Sequence, residues 1–136
     1  MANKKIEEIE GIGPSYAEKL GAAGIKDTDG LLESCCDKGG RKKVAEQTGV
    51  SESQLLKWAN MADLFRVKGV GGEYAELLEC AGVDTVKELA TRNAANLTAK
   101  MAEVNEQKKL TRRVPSEKEV TKWVEQAGDL PATITH

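Results

Sequence analysis

Two short stretches of the sequence combine glycines with residues that could hold a phosphate group. Residues 9–24 read IEGIGPSYAEKLGAAG, and residues 67–82 read VKGVGGEYAELLECAG. We call the turns at their starts turn one (residues 9–13) and turn two (residues 67–71). A helix start leaves backbone N–H groups without partners, and the helix dipole favours negative charge there. The glycines either present backbone N–H groups to a phosphate, at Gly11 and Gly13 and at Gly69, Gly71 and Gly72, or simply make tight turns.

Basic side chains form the second part of this candidate site. Arg66 and Lys68 flank turn two, and Lys19 lies further along the helix after turn one. A basic run, KKLTRR, adds Lys108, Lys109, Arg112 and Arg113. A similar run, KGGRKK, covers residues 38–43. Each run either flanks a phosphate backbone or forms a solvated loop, and short charge runs usually do the latter.

The charge beside the two turns differs. At a shift of 58 positions, Arg66 aligns with Glu8 and Lys68 aligns with Glu10, so two bases replace two acids. Glu73, at the helix start after turn two, suits the dipole and competes with a phosphate. We therefore expect turn two to contribute more phosphate contact than turn one, with a partial obstacle at Glu73.

The other reactive side chains make no catalytic or metal-binding pattern. Cys35 and Cys36 have no second cysteine pair, and the single histidine, His136, is the last residue. Zinc sites and Ser-His-Asp triads need more such groups. The stretch GVGGEY lacks the third glycine of a dinucleotide fingerprint. We expect no metal, no cofactor and no enzymatic activity.

The composition is that of an ordinary globular chain. Its 136 residues are 40% hydrophobic and 31% charged, with a net charge of −2. Tight nucleic-acid binding needs concentrated positive charge, which this balance does not supply. No apolar run approaches the ~20 residues of a membrane span. We expect a cytoplasmic protein without a membrane partner; the sequence indicates no oligomeric state.

An internal repeat covers much of the chain. Nine identities occur at the shift of 58 within residues 11–31, including both Gly-x-Gly pairs, Tyr16 with Tyr74, and Ala17 with Ala75. Further on, Lys57-Trp58 matches Lys122-Trp123 at a shift of 65, so the second copy carries about seven extra residues (65 minus 58), placed within residues 104–115. Self-similarity of this kind indicates a duplicated structural unit. It predicts two domains, residues 1–64 and 65–136.

Local signals predict short helices throughout. Pro14 begins one helix and Gly24 ends it, and CDKGGRKK is a break before a helix from about Arg41 to Thr48 that Gly49 ends. The predicted N-caps are Asp27, Ser51 (in a capping box with Gln54), Asp84, Asn93 and Ser116 (with Glu119). No segment alternates long enough to indicate a strand, so the fold class is all-α. We expect side chains to be poorly tolerated at Gly13 and Gly71, through positive φ or close backbone contact.

The repeated pattern resembles the helix-hairpin-helix motif, in which a Gly-x-Gly hairpin joins two short helices. The stretches GIGPSYAEKLGAAGIKDTDGLLE and VAEQTGVSESQLLKWANMA also resemble the amino-terminal domain of archaeal recombinases. The whole chain is similar to an uncharacterised bacterial family of tandem units that carries a domain-of-unknown-function label. The resemblance implies two tandem helix-hairpin-helix repeats of short helices. In nucleic-acid-binding members of this superfamily, the hairpin amides hold a DNA phosphate.

The leading functional prediction is weak, sequence-independent binding of double-stranded DNA through turn two and the nearby basic side chains. The alternative is a protein-interaction or scaffold module in which both turns are purely structural. Tyr16, Tyr74, Trp58 and Trp123 are interpreted as packing residues, because five scattered aromatics make a poor stacking platform for single strands.

Overall fold

The computed structural model describes residues 4–9 and 11–135. Eight α-helices follow a short 3₁₀ turn at Ile6–Glu8: α1 (Pro14–Ala22), α2 (Thr28–Cys35), α3 (Lys38–Thr48), α4 (Glu52–Leu64), α5 (Gly72–Cys80), α6 (Val86–Ala90), α7 (Ala94–Lys108) and α8 (Glu117–Asp129). In these two ranges there is no β-strand, only an isolated bridge between Lys5 and Asp27. The prediction of an all-α fold is confirmed.

Side-chain caps define where most helices begin. Six of the eight described helices start behind a side chain that accepts the backbone N–H three residues on: Asp27, Asp37, Ser51, Thr85, Asn93 and Ser116. Four predicted caps are thus confirmed, but the predicted capping box at Ser51 is wrong, because Gln54 makes no hydrogen bond to the Ser51 N–H. The prediction of Asp84 is wrong, because the next residue, Thr85, takes that position and accepts from the Glu88 N–H at 3.2 Å. Glu119 also accepts from the Ser116 N–H, which completes the predicted capping box there.

Helix α3 begins earlier than the sequence suggests. The predicted break at residues 36–43 is wrong beyond Asp37, whose carboxylate accepts the Gly40 N–H at 2.6 Å and starts the helix at Lys38. The basic run 38–43 therefore lies on a helix rather than in a loop. Arg41 from this run is buried and donates to the Cys35 carbonyl at 3.0 Å.

A single hydrophobic cluster includes residues from both predicted domains. Helix α2 packs against α3 and α4, α8 packs against α6 and α7, and α4 contacts α5 between the two groups. The buried carboxylate of Asp63, on α4, also accepts the Val86 N–H at the start of α6, at 2.8 Å. The boundary between residues 64 and 65 stays a prediction, and the core is continuous across it.

The segment after α8 returns to the first half of the chain. The Thr135 N–H donates to the Cys36 carbonyl at 2.8 Å, and Arg41 donates to the Thr135 carbonyl at 2.9 Å. Arg66 donates to the Pro131 carbonyl at 2.6 Å. Two arginines that the sequence offered as surface charges therefore fix the path of residues 131–135.

Candidate phosphate-binding site at turn two

The first glycine of each turn adopts the left-handed backbone conformation. Gly11 has a φ of +94° and Gly69 a φ of +95°. The second glycines do not, since Gly13 has a φ of −88° and Gly71 a φ of −98°. A Cβ placed on either of them would meet no atom within 4 Å. The prediction that Gly13 and Gly71 carry the conformational constraint is therefore wrong, and the constraint falls on the first glycine.

Behind turn two, the buried Trp123 packs on Gly69. A Cβ at Gly69 would lie 3.0 Å from Nε1 of Trp123. The Tyr74 and Trp123 rings are also in contact, with centroids 5.3 Å apart. The indole therefore supports both the turn and the first helical turn of α5, consistent with a packing role for both aromatic residues.

Turn one is supported in the same way. A Cβ at Gly11 would lie 3.5 Å from Nε1 of the buried Trp58. The Tyr16 ring meets Trp58 edge to face at 4.9 Å, and the Lys19 ammonium lies 5.6 Å from the Tyr16 ring centroid. Lys19 is therefore directed at an aromatic ring on its own helix.

The helices that follow the two turns lack side-chain caps. Helix α1 begins behind Gly13 and α5 begins behind Gly71, and neither glycine can supply a capping side chain. In α1, Pro14 removes one N–H from the first turn. In α5, Gly72 and Glu73 keep theirs. Helix α5 therefore offers more backbone donors to an anion than α1 does.

Basic side chains line two cavities that adjoin turn two. Lys68 is exposed and lines a cavity of about 740 Å³ together with Lys4, Gly69 and Gly71. A second cavity, of about 400 Å³, is lined by Gly69, Gly71, Gly72, Glu73, Tyr74 and Arg113. Arg113 belongs to the extra residues of the second copy, and sequence spacing gave no sign that it reaches turn two. Lys4 was also missed, since only the folded chain brings it there.

Two of the predicted arginines already have carboxylate partners. Arg66 donates to Asp63 at 2.6 Å and to the Thr133 hydroxyl at 2.9 Å, with 17% of its side chain exposed. Its guanidinium is therefore engaged inside the protein. Arg113 is 64% exposed and binds both oxygens of Glu119, at 2.7 and 3.0 Å. These bonds raise the pKa of Arg113, while Arg113 and the Ser116 N–H lower the pKa of Glu119 to about 2.

The other predicted basic residues lie apart from the two cavities. Lys108 is the last residue of α7, and Lys109 follows it in a left-handed conformation with a φ of 52°. Both are exposed, as is Arg112. From the run 108–113, Arg113 lines the cavity at turn two. Glu10, used in the comparison of the turns, and His136 lie outside the described residues.

The cysteines are free thiols without features of a reactive site. Cys35 is buried, and burial raises its pKa to about 11, so the thiol stays protonated at neutral pH. Within residues 4–9 and 11–135, no three His, Cys, Asp or Glu side chains group closely enough to hold a metal ion. None of the helices described here is both long and apolar enough to cross a membrane.

Comparison with known proteins defines the family. A model described as a domain of unknown function, DUF4332, matches residues 10–130. The chain belongs to the DUF4332 family. The predicted membership of an uncharacterised family is thus confirmed, and the DUF4332 description names no activity.

Other comparisons add little to the DUF4332 match. Halomucin from Haloquadratum walsbyi (strain DSM 16790 / HBSQ001) is 35% identical to this chain over 57 residues. The aligned part covers 42% of this chain and 1% of halomucin. No solved structure matches the chain.

Proposed function

We propose that the chain contains two tandem helix-hairpin-helix units and that the second binds the phosphate backbone of double-stranded DNA. The observation that carries this proposal is the start of α5. It lies behind Gly71 without a side-chain cap, and Lys68 and Arg113 line the two cavities that share Gly71. Backbone donors, a helix dipole and flanking cations together favour an anion. Such contacts are to the backbone, so binding is independent of sequence.

The matched supports of the two turns favour the tandem arrangement. In each copy the first glycine has a positive φ and packs against an indole, and that indole contacts a tyrosine on the following helix. A duplicated unit accounts for both sets of contacts, because they involve residues that the repeat aligns.

Turn two is the stronger partner for phosphate. The exposed Lys68 aligns with Glu10, so a phosphate near turn two meets an opposite charge where turn one carries an acid. Helix α5 also keeps the first-turn N–H that Pro14 removes from α1.

The same geometry implies weak binding. Arg66 is engaged with Asp63, Arg113 is paired with Glu119, and Glu73 is exposed at the helix start. Few phosphates are neutralised, so binding weakens only shallowly as salt rises, and the dissociation constant falls at about 10⁻⁶ M or weaker.

The test is titration of a fluorescently labelled duplex at low salt. Lys68→Glu reverses a charge at turn two, and we expect it to weaken binding at least about tenfold, since an attraction to phosphate becomes a repulsion. Lys87→Glu, on α6 and outside both cavities, makes the same change in net charge and is expected to have little effect. Equal losses in both variants, or no binding by the wild type, would contradict the proposal.

Specific contacts also favour a second candidate, a protein-interaction module. Glu73 lines the cavity at the start of α5, and Glu119 pairs with Arg113, which lines the same cavity. If the wild type does not bind duplex at low salt, the turns are structural and this reading replaces the first. Either way, we propose a non-enzymatic protein without a cofactor, in a reducing cytoplasm, as the three free thiols suggest.

A further inference from the structure

The ion pair between Arg113 and Glu119 lies beside the candidate phosphate site. Arg113 lines the same cavity as Gly71, Gly72 and Tyr74. Its guanidinium makes two parallel hydrogen bonds to the Glu119 carboxylate, at 2.7 and 3.0 Å. This fork geometry is the one in which arginine also binds a phosphate group. The Glu119 carboxylate thus occupies the guanidinium N–H donors that a phosphate at turn two would need.

The two copies differ at the residue that follows the serine cap of their last helix. Glu119 follows the Ser116 cap, and Gln54 follows the Ser51 cap at the aligned position of the first copy. Glu119 accepts from the Ser116 N–H at 3.3 Å, whereas Gln54 makes no hydrogen bond to the Ser51 N–H. Glu119 also carries a charge that binds Arg113, and the first copy has no aligned arginine.

An exchange of partners at Arg113 needs no rearrangement of the core. The Arg113 side chain is 64% exposed and that of Glu119 is 35% exposed. Both side chains are open to solvent, so a second anion can reach the guanidinium without displacing any buried group. Acid does not release it near neutral pH, because the pKa of Glu119 is about 2.

We propose that Glu119 acts as an internal competitor of phosphate for Arg113, and so limits the affinity of turn two for DNA. This inference rests on the proposed function. A duplex must displace the carboxylate before Arg113 can contact its backbone. In the free protein Arg113 is held close to the site with its charge neutralised. Arg113 therefore adds little to the DNA affinity of the wild type, because it can contact phosphate only when Glu119 has been displaced.

The test is a double-mutant cycle measured with a labelled duplex over a range of salt concentrations. Glu119→Gln keeps a side-chain oxygen that can accept the Ser116 N–H and frees Arg113, and we expect it to raise affinity about fivefold and to steepen the salt dependence by roughly one phosphate contact. Arg113→Gln alone is expected to change affinity less than about twofold, and to abolish the gain when combined with Glu119→Gln.

A matched control separates this coupling from a general change in charge. Glu125→Gln removes one exposed acid from the same helix and is expected to give only a small gain, which Arg113→Gln leaves intact. If Glu119→Gln still raises the affinity for duplex in the Arg113→Gln background, Glu119 does not act by competing for Arg113. The same conclusion follows if Glu119→Gln does not raise the affinity at all, while binding still depends on Lys68. In both cases the proposed function stands. If neither the wild type nor Glu119→Gln binds duplex, both proposals fall.

Discussion

A side chain at Gly69 would meet two obstacles at once. Its φ of +95° is unfavourable for a residue with a Cβ, and that Cβ would press on the Trp123 indole. We expect Gly69→Ala to lower the free energy of unfolding by roughly 1–2 kcal/mol. Gly71→Ala, two residues away in open space, is expected to change it by less than about 0.5 kcal/mol. Urea denaturation of both variants checks this, and equal effects would contradict the assignment of strain.

At the same scale, residue types were easier to predict than their partners. The Gly-x-Gly pattern indicated a constrained turn, but the two glycines look alike in sequence, and only the backbone angles separate them. Arg66 was noticed beside turn two, and Arg113 was noticed only as part of a basic run. Their roles depend on Asp63, Thr133 and Glu119, and the fold selects those partners from many acids and hydroxyls along the chain.

Two adjacent glycines in the first turn of α3 are expected to differ sharply. A Cβ at Gly40 would overlap the carbonyl oxygen of Ser34, because α2 ends close to the start of α3. At Gly39 the nearest such atom is the Asp37 carboxylate, at 3.8 Å. We expect Gly39→Ala to stabilise the protein by about 0.5–1 kcal/mol, by restricting the unfolded chain.

Gly40→Ala is expected to destabilise the protein instead, by about 1–3 kcal/mol, because the backbone of α2 must shift. Thermal unfolding of the two variants gives the comparison. Two stabilising changes would mean that α3 does not start against the end of α2.

At the level of elements, capping chemistry predicted most helix starts. Asp27, Ser51, Asn93 and Ser116 were readable because a short polar side chain precedes an apolar pattern. Helix α3 was not, because its two glycines indicate a loop by propensity. Burial of Arg41 and close packing on α2 override that propensity. Thr85 was passed over because Asp84, an equally good cap by type, comes first in the chain.

At the scale of the whole molecule, Asp63 links α4 to the start of α6 and, through Arg66, to the segment after α8. Its two oxygens accept from Arg66 and from the Val86 N–H, and Arg66 in turn holds residues 131–133. Asp63→Ala leaves a largely buried cation without its partner, so we expect a loss of about 3 kcal/mol in the free energy of unfolding. Unfolding should remain a single transition, because one core spans both halves.

Glu88→Ala is the control for this change. It removes an exposed partner of Arg92, 3.4 Å away, and is expected to cost less than about 1 kcal/mol. Calorimetry of both variants measures the difference. If the two variants lose similar amounts of unfolding free energy, Asp63 is no more important than an exposed ion-pair partner. If residues 1–64 and 65–136 unfold in separate transitions, the halves are independent. The sequence indicated two copies of one unit, but it could not indicate how strongly the core and the segment after α8 connect them.

The indole nitrogen of Trp58 is buried, and no acceptor lies within hydrogen-bonding distance in the described structure. A proton shielded in this way exchanges with deuterium only when the surrounding structure opens. Trp123, 3% exposed, lies in the matching place behind turn two. The Trp58 indole proton is therefore a natural hydrogen-exchange reporter at the back of turn one, and the Trp123 indole proton is its counterpart at turn two. The ratio of the two indole exchange rates compares the local opening of turn one and turn two within a single unlabelled molecule.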